Sequence, residues 1–157
     1  MSAPFYVKIF FIAPYQVYQA RLFGADAILL MLSVLDDDDY RQLAKVAAEL
    51  HLDVLTEVHD QNELNRALKL NAAIIGINNR NLKDLSINLQ TTKQLMDLLT
   101  TEQRQKHIFI SESGIDDYSQ VKSLASIPNG VDGFLVGSSI MSKPDISAQC
   151  KLLYMVE

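Results

Sequence analysis

Cysteine is almost missing from this sequence: Cys150 is the one thiol in 157 residues. A single thiol cannot close an internal disulfide, so no disulfide framework holds the fold, and a reducing compartment suits the chain. Positive charge is also scarce. Lys and Arg number 14 against 19 Asp and Glu, a formal net charge of −5 at pH 7. Proteins whose main partner is a nucleic-acid backbone need a basic face, so that class is excluded. Long hydrophobic runs are lacking as well. The longest covers residues 27–32, extended past Ser33 by Val34 and Leu35. A membrane span needs about 20 apolar residues. Residues 7–13 combine one charge with an apolar stretch, but Pro14-Tyr15-Gln16 follows where a secretory signal would carry a small-residue cleavage site. The expected location is the cytoplasm. Neither a P-loop nor a glycine-rich dinucleotide fingerprint is present.

What remains is a globular composition, 48% apolar and 21% charged, with enough length to bury a real core in one domain spanning residues 1–157. Short apolar runs alternate with longer amphipathic ones. The runs at 5–11, 26–31, 53–58, 73–77, 107–111 and 132–136 are nearly continuously apolar. That pattern suits strands covered on both faces of a parallel sheet. Helical spacing fills the gaps, over 15–23, 36–50, 60–70, 91–99, 116–124 and 145–155. Pro14 suits a first helical position. Asp60 with Glu63 three residues on resembles a capping box. Six β-then-α units in a row imply right-handed crossovers and a parallel sheet. Two architectures remain: a doubly wound open sheet, or a (β/α)8 barrel of which six units are represented.

Several clusters could carry chemistry. The run Asp36-Asp37-Asp38-Asp39 is read as a helix cap and first turn, because consecutive helical residues do not converge on a metal ion. His51, His59 and His107 stand at no metal-ligand spacing and are read as structural or solvated; no metal is expected. Strand ends are more informative, since functional groups gather at the carboxyl ends of parallel strands. Glu57 closes the third run. Asn78-Asn79-Arg80 follows the fourth, Ser111-Glu112-Ser113-Gly114 ends the fifth, and Gly137-Ser138-Ser139 follows the sixth. Lys8 lies within the first run, where period two places it on one face with Phe10. Gly137-Ser138-Ser139 joins a strand to a short helical turn, where glycine lets an anion approach backbone amides.

Taken together these segments resemble indole-3-glycerol phosphate synthase. The resemblance is carried by Lys8, Phe10, Pro14-Tyr15-Gln16, Ala20-Arg21 and Gly24-Ala25-Asp26-Ala27-Ile28-Leu29-Leu30. It continues through Leu55-Thr56-Glu57-Val58, Gly76-Ile77-Asn78-Asn79-Arg80-Asn81-Leu82, Ser111-Glu112-Ser113-Gly114-Ile115 and Phe134-Leu135-Val136-Gly137-Ser138. It implies an α/β fold of the (β/α)8 (TIM) barrel family, here an incomplete barrel with six βα units and no second domain. It further implies ring closure, decarboxylation and dehydration of 1-(o-carboxyphenylamino)-1-deoxyribulose 5-phosphate in tryptophan biosynthesis, with no cofactor. By the same resemblance Lys8, Glu57, Asn78 and Glu112 are catalytic. Phe10 and Leu82 wall the aromatic ring, Arg80 and Ser113 contact the substrate, and Gly114, Gly137 and Ser138 hold its phosphate.

The departures from the family pattern are specific. Ile9 and Ala13 stand where the family usually has Asp, and the family's first two βα units have no counterpart in the sequence. A first-strand glutamate and lysine that act in catalysis are therefore unmatched. Two expectations follow: a working synthase, or an inactive remnant that still binds a phosphate ester. An open barrel would also leave apolar sheet edges, which invite self-association or pairing with a missing N-terminal fragment.

Overall fold

The computed structural model describes residues 6–7, 9–127 and 130–154. The chain divides into two compact units, Met1–Ile75 and Gly76–Glu157.

The first unit alternates β1 (Tyr6–Val7), α1 (Pro14–Leu22), β2 (Ala27–Met31), α2 (Asp37–Glu49), β3 (Asp53–Val58) and α3 (Gln61–Lys69). Its strands lie in chain order and pair in parallel. The register sets Ala27 opposite Asp53 and Met31 opposite Glu57. β2 lacks period-two alternation because both of its faces are covered: Ile28, Leu29, Leu30 and Met31 are all buried. α2 closes one face through Tyr40, Leu43 and Ala47. The Tyr40 hydroxyl shares a 2.8 Å hydrogen bond with Thr56 of β3, which satisfies two polar groups inside the core. Arg66 of α3 ties the β2–α2 connection down. It donates to Asp37 Oδ1 and to the carbonyls of Leu32 and Leu35, each at 2.7 Å.

The second unit carries β4 (Ile74–Asn78), whose first two residues precede the boundary, then α4 (Gln90–Met96), α5 (Thr101–Lys106), β5 (Ile108–Glu112), α6 (Tyr118–Ala125), β6 (Gly133–Leu135), α7 (Ser138–Met141) and α8 (Ile146–Tyr154). β5 and β6 pair in parallel, Ser111 opposite Phe134. Asp132 anchors the start of β6: its Oδ2 accepts from the Phe109 amide at 2.7 Å, and its Oδ1 meets Arg104 of α5 at 2.8 Å. Among the described residues, no helix is long and apolar enough to cross a membrane.

Two sequence expectations need correction. α5 was not anticipated, although Thr100 and Gln103 form a reciprocal capping box at its start. The first apolar run is described as strand only at Tyr6–Val7, and Phe10 stands outside any strand. The period-two pairing of Lys8 with Phe10 therefore has no strand beneath it at Phe10. Gln16 fixes that segment instead. Its Oε1 accepts from the amides of Ile12 and Ala13 at 2.8 and 3.0 Å, and its Nε2 donates to the Phe10 carbonyl at 2.9 Å.

Candidate functional site

In the first unit, β3 delivers Glu57 to its carboxyl end with 1% exposure. The last four residues of the strand, Leu55, Thr56, Glu57 and Val58, are all buried, so the carboxylate is buried with its neighbours. His59 stands beside it, its Nε2 3.1 Å from Glu57 Oε1. The other ring nitrogen, Nδ1, is 3.1 Å from Glu63 Oε2, and that same oxygen accepts from the His59 amide at 2.7 Å. Burial by itself would lower the imidazole's pKa. The adjoining carboxylates of Glu57 and Glu63 outweigh it and push the value up to about 9. His59 is thus a largely buried partner of two carboxylates. The sequence reading of it as structural or solvated missed this. The signal was a Glu two residues before and another four residues after the ring.

The capping box expected at Asp60 forms only in half. Asp60 Oδ1 accepts from the Glu63 amide at 2.9 Å. Glu63 turns to the His59 amide and ring. Lys8, expected to act beside Glu57, lies outside the described residues. Phe10, expected as a ring wall, is 60% exposed.

In the second unit, β4 and β5 end in polar residues that are buried. Asn78, Asn79, Ser111 and Glu112 are each at most 5% exposed. Asn79 is the hub. Its Nδ2 lies 3.1, 3.0 and 3.1 Å from Ser111 Oγ, Glu112 O and Ser113 O. Its Oδ1 accepts from the Thr92 amide at 3.2 Å and from Thr92 Oγ1 at 2.9 Å. Thr92 and Ser111 hydroxyls close the ring at 2.8 Å. One asparagine thereby locks the end of β4 to the end of β5 and to α4. The sequence reading placed weight on Asn78 and passed over Asn79, which shows no distinguishing spacing.

Asn78 Oδ1 accepts from the Arg80 amide at 3.0 Å, turning the chain at the strand end. The loop beyond doubles back through an antiparallel bridge between Arg80 and Ile87. Leu82, the second expected ring wall, is 40% exposed on it. After β5 the backbone enters the left-handed region twice, at Ser113 (φ 66°) and Gly114 (φ 77°). A side chain on Gly114 would bring its Cβ to 2.3 Å from Ile87 Cγ2. The glycine therefore has two local causes, its φ and the approach of the β4 loop. An open cavity of about 370 Å³ adjoins it, lined by residues including Asn88, Gln90 and Asp116. Gly137 and Ser138 are exposed at the start of α7. Ser139 Oγ donates to the Ile115 carbonyl at 2.7 Å, which joins the segment after β6 to the one after β5. Among the described residues, no group of three or more His, Cys, Asp or Glu is arranged to hold a metal ion.

The structure thus collects Asn78, Arg80, Glu112, Ser113, Gly114, Gly137 and Ser138 on the strand-end segments of the second unit, and Glu57 at the corresponding end of β3 in the first.

Solved structures give the fold a reference. 3-Hexulose-6-phosphate synthase from Salmonella typhimurium, a barrel enzyme, matches with a TM-score of 0.73 at 16% identity, over 93% of this chain and 68% of that one. At that identity the likeness shows the fold alone: the (β/α)8-barrel family, of which this chain supplies six βα units. Sequence comparison is more specific. Tryptophan biosynthesis protein TrpCF from Buchnera aphidicola subsp. Diuraphis noxia is 50% identical over 157 residues, all of this chain and 33% of that protein. Indole-3-glycerol phosphate synthase from Lachnospira eligens is 44% identical, over 98% of this chain and 58% of that one. The chain therefore spans about a third to three fifths of the length of these relatives. The indole-3-glycerol phosphate synthase family profile matches residues 1–153, and the chain belongs to that family.

Proposed function

We propose that this chain carries the strand-end chemistry of indole-3-glycerol phosphate synthase: closure of the indole ring of 1-(o-carboxyphenylamino)-1-deoxyribulose 5-phosphate, with loss of carbon dioxide and water. The observation that carries this reading is the burial of Glu57 and Glu112 at the carboxyl ends of β3 and β5 in a chain of this family. Buried carboxylates at strand ends are costly unless partnered, and in barrels that end is where working groups collect.

Ring closure needs a proton donor at the substrate carbonyl while the aromatic carbon attacks. Loss of water needs a group that takes a proton and one that gives it. In this reading Lys8 donates, and Glu57 and Glu112 handle protons in the dehydration. Asn78 orients the substrate with Arg80 and Ser113. Phe10 and Leu82 flank the aromatic ring. Gly114, Gly137 and Ser138 offer backbone amides to the phosphate. The reaction draws on the protein's own groups, with no metal or cofactor, and runs in the cytoplasm. Exposed apolar residues in the first unit favour self-association or pairing with a polypeptide that carries the family's first two βα units.

The exposure of Gly137 and Ser138 at the start of α7 favours a second reading, a non-catalytic binder of phosphate esters. One assay separates them. Indole fluorescence is followed after adding substrate to the chain, alone and mixed with a separately made polypeptide of the family's first two βα units. Product in either mixture, largely abolished by Lys8→Ala, supports the synthase. No product in both, with saturable binding of indole-3-glycerol phosphate that Ser138→Asp weakens, supports the binder.

A further inference from the structure

We propose that His59 is a positioning residue: held between two carboxylates as an imidazolium, it keeps Glu57 ionised and fixed in one orientation at the end of β3. This rests on the reading of Glu57 as a working group of the synthase site.

The geometry requires both ring nitrogens to face acceptors. Nδ1 hydrogen-bonds Glu63 Oε2 at 3.1 Å, and Nε2 lies 3.1 Å from Glu57 Oε1 in an ion-pair contact that lacks hydrogen-bond alignment. An ionised carboxylate only accepts, and a neutral imidazole would set a bare nitrogen lone pair against one of the two carboxylates, so this placement favours the doubly protonated ring. Glu63 is itself held. Its Oε2 takes the His59 amide at 2.7 Å, and its own amide is capped by Asp60 at 2.9 Å. The orientation of the ring is thus set by the first turn of α3, away from Glu57. At 1% exposure desolvation drives the Glu57 carboxyl toward its neutral form, and an adjacent cation reverses that preference. Only the ionised form can take a proton from substrate.

The test uses the full chain labelled with 15N-histidine. In the wild type, His59 is expected to show two protonated nitrogens at neutral pH and to titrate well above the ordinary imidazole range. Glu57→Gln and Glu63→Gln should each bring that titration down. In the fluorescence assay, His59→Gln should lower kcat on the order of tenfold, as loss of a residue that orients a working group typically does, with KM little changed. It should also shift the acid limb of the pH profile upward, because the cation beside the Glu57 carboxylate is then gone. Glu63→Gln, which does not touch Glu57, should produce a smaller change of the same kind and guards against a misfolded His59 variant. A neutral single-tautomer His59 in the wild type, or unchanged kcat and acid limb in both variants, overturns the proposal. The two readings fail separately. An imidazolium signal without turnover rejects the synthase and keeps the clamp; turnover with a neutral His59 rejects the clamp and keeps the synthase.

Discussion

At the scale of single residues, Asn79 holds the second unit's strand ends together. Removing its side chain leaves Thr92 and Ser111 with unmet hydrogen bonds in a buried place. Asn79→Ala should cost about 3 kcal/mol, the size expected when several buried polar groups lose a shared partner; the shift of the urea midpoint measures it. Gly114→Ala should cost on the order of 1–2 kcal/mol from its left-handed φ alone, and more from the clash with Ile87. Ile87→Ala in the same chain should recover the clash and leave the backbone cost, which a double-mutant cycle reads directly. Neither effect was legible in the sequence. Asn79 looked like its neighbour Asn78, and the closeness of Ile87 to Gly114 depends on a loop folding back 27 positions earlier. Glu57, Asn78 and Glu112 were legible, because they end apolar runs. His59 was not, because its partners are set by where β3 stops and α3 begins.

Elements follow the sequence more closely. β3 matches its apolar run, and β2 and β4 start one residue later than theirs. Parallel strands buried on both faces leave a simple trace. The four-aspartate run is a cap and first turn, as its spacing implied: Asp36 Oδ1 accepts from the amides of Asp38 and Asp39 at 3.0 and 2.8 Å. Asp36→Ala should cost about 1 kcal/mol, seen as a lower Tm. The start of α3 gives a pH signature. His59's pKa rises from 6.5 in the unfolded chain to about 9 when folded. A raised pKa stabilises the fold below the unfolded value, and that contribution is lost as pH climbs between these two values. Stability should therefore fall across that window, and His59→Gln should flatten the fall. Chemical unfolding at a series of pH values checks it. The stretch after the first strand was less legible. Residues 9–13 are as apolar as a strand, yet Gln16 gathers their backbone groups into a turn ahead of α1.

At the scale of the whole molecule, exposed apolar surface is the conspicuous feature. Phe10, Ile12, Tyr15, Tyr18, Leu22 and Phe23 are all more than half exposed within 14 residues of the first unit. Exposed apolar area favours association when it forms a patch. The chain should self-associate at micromolar concentration, with Leu22→Ser and Phe23→Ser together reducing it. A monodisperse monomer in light scattering, with a cooperative melt, would refute this. Family membership was legible in the motifs at the strand ends, and half-identity to a longer relative bears it out.

In the proposed reaction the buried strand-end carboxylates Glu57 and Glu112 move the protons of the dehydration, without which no indole forms. The most direct measurement of this role is single-turnover indole fluorescence with wild type, Glu57→Gln and Glu112→Gln, each mixed with the complementary N-terminal polypeptide and each shown by circular dichroism to be folded. Product is expected from the wild type, with a loss of about a hundredfold or more in each variant, the range for a removed acid–base group. Equal rates in all three, or no product from the wild type, would contradict this role.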